Sequence, residues 1–193
     1  DIGLHALEIP EVYGGSEMDY YTVGAVYEEL AKVDAGFATG VTATGLSLKP
    51  VLIAGTDEQK KYYSEFIVGE KGNCWGAFAL TEPGAGSDAS ASTTTAVKKG
   101  DEYIINGRKC FITNAGFASI FVVFAVTDKE KGAHGISAFI VERDRPGISI
   151  GKEEDKMGIR GSNTADVVFE DVHVPADHML GAEGKGFEIA MKT

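Results

Sequence analysis

The sequence predicts an α+β fold, an N-terminal α-helical segment followed by an antiparallel β-barrel or sandwich-like middle domain. Three observations carry the prediction. Up to residue 72 apolar residues recur about every 3.6 positions, the period of a helix with one buried face. After it the period drops to about 2, the alternation of a strand. In the same region Gly, Thr and β-branched residues take over, punctuated by turn dipeptides. The expected division is 1–72 as part of a helical domain, 73–180 as the β domain and 181–193 as the start of a further helical domain.

The elements follow in order. Between Asp19 and Asp34, Val23, Val26, Tyr27, Leu30 and Ala31 share one face while Glu28, Glu29 and Lys32 lie off it, so an amphipathic helix is expected. The Asp19 carboxylate is placed to accept from the free amides of its first turn. The next stretch, GFATGVTATGLSLKPVLIAG, is rich in small residues, as suits a helix packed closely on its neighbours. An interruption is expected at Pro50, which lacks the N–H of the helical ladder. Thr56 and Gln59 have capping-box spacing, and Asp57 and Glu58 suit the positive end of a helix dipole. Tyr62, Tyr63, Phe66 and Ile67 form the buried side of that third helix, which ends near Gly69.

In the β region, EYIING ends in Asn106 and Gly107, the pair that best tolerates positive φ, so a hairpin is expected with KCFIT as the return strand. FVVFAV from Phe121 and ISAFIVE from Ile136 read as apolar strands joined through a polar connection at 129–134. Pro146 and Gly147 turn the chain, and VVFEDVHV from Val167 adds a further strand. No helix-length segment separates the strands to make parallel crossovers, hence the sandwich or barrel. The chain opens on Asp, and GFEIAMKT places Phe187, Ala190 and Met191 on one face of a helix that nothing closes before Thr193. Both ends lead us to expect a piece of a longer polypeptide.

Composition excludes several classes of function. The formal net charge is −11, from 29 acidic and 18 basic residues among 193, which opposes attraction to nucleic acid or an anionic membrane. Neither partner is expected, and the pairs Lys60/Lys61 and Lys98/Lys99 read as solvated surface. No apolar run is expected to approach the roughly 20 residues that span a bilayer. Cys74 and Cys110 have no CxxC spacing. His173 and His178, separated by Pro175, cannot share a helical face, so no metal site is expected. A reducing compartment, and so a cytoplasmic location, is the expectation.

Two local features could carry chemistry. In LTEPGAGSD, residues 80–88, an apolar strand runs into a loop with Gly84 and Gly86. Its outward amides, with the hydroxyls of Thr81 and Ser87, could hold a heteroaromatic ring edge or a phosphate. The loop matches neither GxGxxG nor the P-loop pattern, and a Gly-rich connection is more often structural than functional. In FITNAG, from Phe111, alternation puts Phe111 and Thr113 on one face, where an aromatic could stack on a planar cofactor beside a hydroxyl donor. Core packing followed by a turn is the other reading.

Both motifs stand in the order and approximate spacing characteristic of the acyl-CoA dehydrogenase family. IPEVYGG from Ile9, INGRKCFITN from Ile105, KMGIRGSNTADVVFEDVHVP from Lys156 and LGAEGKGF from Leu180 extend the match. The chain resembles that family over nearly its whole length, and its wording is most similar to the short-chain, butyryl-CoA dehydrogenase type.

The resemblance implies an FAD site formed by Phe78, Ala79, Leu80, Thr81, Gly86, Ser87, Phe111, Ile112 and Thr113. The Leu80 backbone and Thr81 hydroxyl would meet the isoalloxazine, with Phe111 packing on the ring and Thr113 bonding near N5. Ser87 would lie toward the FAD phosphates and the bound acyl-CoA substrate. Relatives often carry Trp where this chain has Phe111. In the family a carboxylate removes the α-proton of an acyl-CoA thioester while the β-hydrogen leaves as hydride, giving a trans-2-enoyl-CoA.

That base is a glutamate of the C-terminal helical domain in butyryl-type enzymes. No catalytic residue is therefore expected here, and the fragment alone is expected to be inactive and to retain FAD weakly or not at all. Glu82 and Asp88 are read as loop-shaping carboxylates, the segment 157–163 as a surface connection, and Arg160 is given no role. The resemblance further implies a homotetramer or dimer that passes electrons to electron-transferring flavoprotein. The rival is a non-catalytic module that binds a flavin, an acyl-CoA or a protein. Oxidases and enoyl-CoA reductases share the fold.

Overall fold

The computed structural model describes residues 3–193, so the first two positions of the expected helical segment lie outside the described residues. Two 3₁₀ turns, Leu4–Ala6 and Glu11–Tyr13, lead into α1 (Tyr20–Val33), α2 (Ala35–Ala54) and α3 (Asp57–Ile67). The expected caps form. Asp19 Oδ1 accepts from the Tyr21 and Thr22 amides at 2.9 and 3.0 Å. Gln59 N donates to Thr56 Oγ1 at 3.2 Å while Thr56 N donates to Gln59 Oε1 at 2.9 Å. Asp34 ends α1 and caps α2, accepting from Phe37 N at 3.0 Å, which lets two helices meet across one residue.

Two helical expectations change. α2 runs through Pro50 to Ala54. Proline there removes one ladder bond, and the helix is held by burial of Leu48 and Val51 against α3 and the sheet, with Pro50 itself buried. α2 also has, by length and composition, the apolarity of a membrane span, contrary to the expectation that no run would approach one. Within this fold it is the central packed helix, with Gly36, Val41, Thr44 and Ser47 buried besides. Of the stripe expected on α1, only Val23 is buried; Val26, Tyr27 and Leu30 are half-covered and Ala31 is exposed.

The strands are β1 (Gly76–Ala79), β2 (Thr95–Lys99), β3 (Glu102–Thr113), β4 (Ile120–Val126), β5 (Ile136–Glu142), β6 (Ile148–Ile150), β7 (Thr164–Pro175) and β8 (Met179–Leu180). They form one 8-stranded sheet in the order β6-β7-β3-β2-β4-β5-β8, with β1 alongside β4. α4 (Gly186–Lys192) follows. Most pairings are antiparallel, but β1 runs parallel to β4, and Thr95 of β2 pairs parallel with Val126 of β4. Strands rather than a helix make the crossover from β1 to β4, so parallel pairing arises here without the helix-length connection it was expected to need.

The predicted turn at Asn106 and Gly107 does not exist: residues 102–113 form one strand. The hairpin closes earlier, at Gly100 (φ +64) and Asp101, with Lys99 opposite Glu102. At Asn106 the partner strand β7 carries an extra residue, Asp171, at φ +50. Asn106 holds that bulge by donating from Nδ2 to Asp171 Oδ1 at 3.0 Å and accepting from Asp171 N at 2.8 Å. Gly107 is needed for close approach: a Cβ there would lie 2.5 Å from Thr94 Oγ1, at φ +151.

Two cores explain why β4 and β5 are buried on both faces. Phe121, Val123 and Ala125 join Phe139, Tyr103, Ile105, Val167 and Phe169 inside the curled sheet. Ile120, Val122, Phe124 and Val126 face Leu48, Val51, Tyr63 and Ile67 of the helices.

Candidate functional site

Strand alternation decides what happens at the end of β3. Tyr103 and Ile105 point inward, and the same phase carries Lys109 into the interior, where its side chain is 0% exposed. A buried ammonium requires partners. Nζ donates to the Leu80 carbonyl at 3.0 Å and to Glu82 Oε1 at 2.8 Å. Glu82 also accepts from Thr93 N and Thr93 Oγ1, both at 2.7 Å, and from Thr94 N at 3.0 Å. Burial pushes the Glu82 carboxyl up, but the Lys109 charge and these bonds outweigh it and hold it at about 2. Burial pulls the Lys109 ammonium below its ordinary value, against the opposing pull of Glu82.

The loop after β1 is closed on itself, Glu82 and Ala85 exchanging backbone bonds of 3.1 and 3.0 Å around Pro83 and Gly84. Cys110 N donates to Thr81 O at 2.9 Å, which ties this loop to β3. The start of the loop motif, residues 80–82, is thus tied to Lys109 and Cys110, which lead directly into the second motif at Phe111. Glu82 and Asp88 have the loop-shaping roles expected of them; Asp88 accepts from Ser90 N at 3.2 Å.

Between Lys109 and Ile112 the register with β7 slips by one residue, so β3 bulges at Cys110 and Phe111. The bulge throws Phe111 outward: it is 64% exposed, at φ +56, a backbone state that costs an aromatic residue of order 1–3 kcal/mol. Ile112 turns into the core and Thr113 is half-buried. The strand end is then anchored by buried Asn114, at φ +67. Its Nδ2 donates to Gly40 O at 2.8 Å, Gly76 O at 3.1 Å and Thr44 Oγ1 at 3.3 Å, joining α2, β1 and β3. Asn163 completes the joint, its carbonyl accepting from Asn114 N at 2.9 Å and its Oδ1 from Gly116 N at 2.6 Å.

The remaining expected positions divide by burial. Phe78 is half-buried, its ring 5.0 Å from that of Phe124, and Leu80 and Thr81 are half-buried at the loop. Ala79 is fully buried, so it and Ile112 can offer a ligand only backbone. Gly84, Gly86 and Ser87 are exposed, with open space where a glycine Cβ would be. Of the segment read as a surface connection, Met157 and Ile159 are exposed, but Ser162 and Asn163 are buried because Asn163 belongs to the strand-end joint. Arg160 donates to Lys156 O at 2.7 Å and faces Asp155 at 3.7 Å.

A groove of about 780 Å³ between α1 and α2 ends at Thr113. Val23, Ala38, Ala43 and Leu46 give it apolar walls, and Glu8 and Lys49, 3.7 Å apart, give it a charged corner. Among the described residues no group of three His, Cys, Asp or Glu is placed to hold a metal ion. The sequence reading missed the roles of Lys109 and Asn163. Lys109 stands in phase with inward-facing Tyr103 and Ile105, and that phase is the signal that could have found it.

An exposed, strained aromatic on a buried polar scaffold, with two hydroxyls and an open glycine loop beside it, can bind a planar group with a phosphate tail. Comparison with known proteins bears on which. Residues 77–172 match the family described as acyl-CoA dehydrogenase, middle domain, and residues 1–70 match the acyl-CoA dehydrogenase N-terminal domain. The chain is 51% identical to the short-chain-specific acyl-CoA dehydrogenase of Megasphaera elsdenii, covering 100% of this chain and 51% of that protein.

A structure described as the electron transferring flavoprotein of Acidaminococcus fermentans superposes with a TM-score of 0.92 at 50% identity, over 98% of this chain and 50% of that one. An acyl-CoA dehydrogenase complexed with FAD, from Bacillus anthracis, does so with a TM-score of 0.89 at 42% identity, over 98% of this chain and 32% of that one. The chain spans about half the length of the curated relatives it matches. With both motifs joined in one site, and two family domains matched end to end, this chain belongs to the acyl-CoA dehydrogenase family.

Proposed function

We propose that this chain carries the flavin-binding surface, without the catalytic base, of an FAD-dependent acyl-CoA dehydrogenase that oxidises a short-chain acyl-CoA to the trans-2-enoyl-CoA. The observation that supports it most is Phe111, a large aromatic held outward at positive φ on a scaffold of buried hydrogen bonds. A fold tolerates such strain where the exposed group has a task.

The residues fit FAD. Phe111 offers a ring face for the isoalloxazine to cover, and Thr81 and Thr113 offer hydroxyl donors on either side. The open backbone at Gly84 and Gly86 admits phosphate oxygens, with Ser87 beside it toward the phosphates and the acyl-CoA. Phe78, Ala79 and Ile112 shape the floor. When bound, FAD supplies the acceptor for the β-hydrogen and its electron pair.

The chain's own part is to orient the thioester and shed water. It does not supply the base. Glu82, held at about 2 with its oxygens occupied by Lys109 and the residue 93 and 94 amides, has neither the basicity nor a free lone pair to take an α-proton. The base is assigned to the remainder of a longer polypeptide. On this reading 1–72, 73–180 and 181–193 are pieces of its helical, β and second helical domains. The whole enzyme is a cytoplasmic homotetramer or dimer whose electrons pass to electron-transferring flavoprotein.

The substitution Phe111→Gly tests the site. Glycine relieves the positive φ and removes little buried surface, so apo-enzyme stability should hold or rise by about 1 kcal/mol. FAD affinity in the full-length enzyme should fall about tenfold, the cost of a lost stacking partner. Unchanged FAD affinity in a fluorescence titration sinks the assignment.

A further inference from the structure

Resting on that reading, we propose that Lys109 is a positioning residue: its buried ammonium orients and polarises the peptide unit joining Leu80 and Thr81, so that this peptide presents its N–H to the isoalloxazine edge. The peptide is held at one end only. Its carbonyl, on Leu80, accepts from Lys109 Nζ at 3.0 Å. Its N–H, on Thr81, donates to no group among the described residues. The residue it belongs to is otherwise fixed, because Thr81 O accepts from Cys110 N at 2.9 Å. A positive charge on the oxygen of an amide draws electron density from its nitrogen and strengthens the N–H as a donor.

The neighbours explain why a lysine can sit there. Glu82 balances the charge at 2.8 Å and is itself anchored by the amides of residues 93 and 94, so the ammonium cannot swing away from Leu80. The ion pair is buried and the residues of the peptide are half-buried, which limits the water that can compete for the carbonyl. A core that needed only packing would place an aliphatic residue at this inward position. The lysine instead couples β3 to the peptide unit that leads into Thr81.

The test uses the full-length enzyme with FAD, comparing wild type, Lys109→Met and the neutral pair Glu82→Gln/Lys109→Met. Wild type should bind FAD. In both variants the FAD dissociation constant should rise at least about tenfold, the order expected for weakening a charge-assisted hydrogen bond. The flavin midpoint potential should move negative, because a weaker donor stabilises the electron-rich reduced ring less. The neutral pair guards against misfolding: it leaves no unpaired buried charge, and its melting temperature reports whether the scaffold survives. A neutral pair with near-native melting but weakened flavin binding and a shifted potential supports the proposal. If the neutral pair binds FAD as wild type does, at an unchanged potential, Lys109 serves structure alone and the proposal falls. Should wild type itself bind no flavin, the functional reading fails first, and this inference with it.

Discussion

Glu82 shows how a residue's environment can disqualify it from the chemistry its position suggests. It lies in the loop beside the proposed ring site, yet its oxygens meet Lys109 Nζ, the amides of residues 93 and 94 and the Thr93 hydroxyl. Its folded pKa of about 2 lies below the 4.5 of a free glutamate. A carboxylate depressed in this way contributes stability that is fully present above the unfolded value and is lost as the pH falls through the folded one. Denaturant melts should therefore show stability decaying between about pH 5 and pH 2. Glu82→Gln should flatten that decay and cost about 3–5 kcal/mol at neutral pH, because Lys109 is left buried and unpaired. Equal pH slopes for the two proteins would contradict the ion pair. At this scale Glu82 and Asp88 were legible as loop-shaping, since a carboxylate in a turn-rich loop readily accepts backbone amides. Lys109 was not. Its burial follows from counting alternation back to Tyr103, and lysine is so commonly exposed that composition argues the other way.

Between elements, side-chain bonds decide how helices sit on the sheet. Gln59 illustrates this. It was readable as half of a capping box, and it forms that box. Its Nε2 also donates to Asp177 O at 2.6 Å and Met179 O at 2.9 Å, fastening the start of α3 to the turn after β7 and to the start of β8. Gln59→Ala should cost about 2–3 kcal/mol in urea melts, against about 1 kcal/mol for Thr56→Ala, which removes a cap alone. Equal losses would mean that the tie to residues 177 and 179 contributes nothing.

The helices were legible because their caps and periods are local. The hairpin was misplaced because positive φ serves a bulge as well as a turn. Asn106 bonds Asp171 across the sheet, a partner 65 positions away that no local pattern reveals. Pro50 was misread for a similar reason: local chemistry disfavours it in a helix, and packing of its neighbours Leu48 and Val51 against α3 and the sheet overrides the local term.

Over the whole molecule, two cores share β4 and β5, so the helical segment and the β domain have a common wall. The proposed ring site stands at the edge of that wall, where Asn114 links α2, β1 and β3. The groove between α1 and α2 reaches the same place at Thr113. Local pattern located both motifs and the resemblance implied one shared site, but the contacts that join them were not legible, because they depend on the crossover from β1 to β4 and on the phase of β3.

The central claim is that this chain holds the flavin surface and lacks the base. It is tested by adding butyryl-CoA, without oxygen, to the FAD-loaded full-length enzyme and to this 193-residue chain with excess FAD, and following flavin absorbance. Bleaching of the full-length enzyme alone is the predicted result. Bleaching by the 193-residue chain would contradict the account, because a base would then lie within these residues, with Glu82 the first to examine.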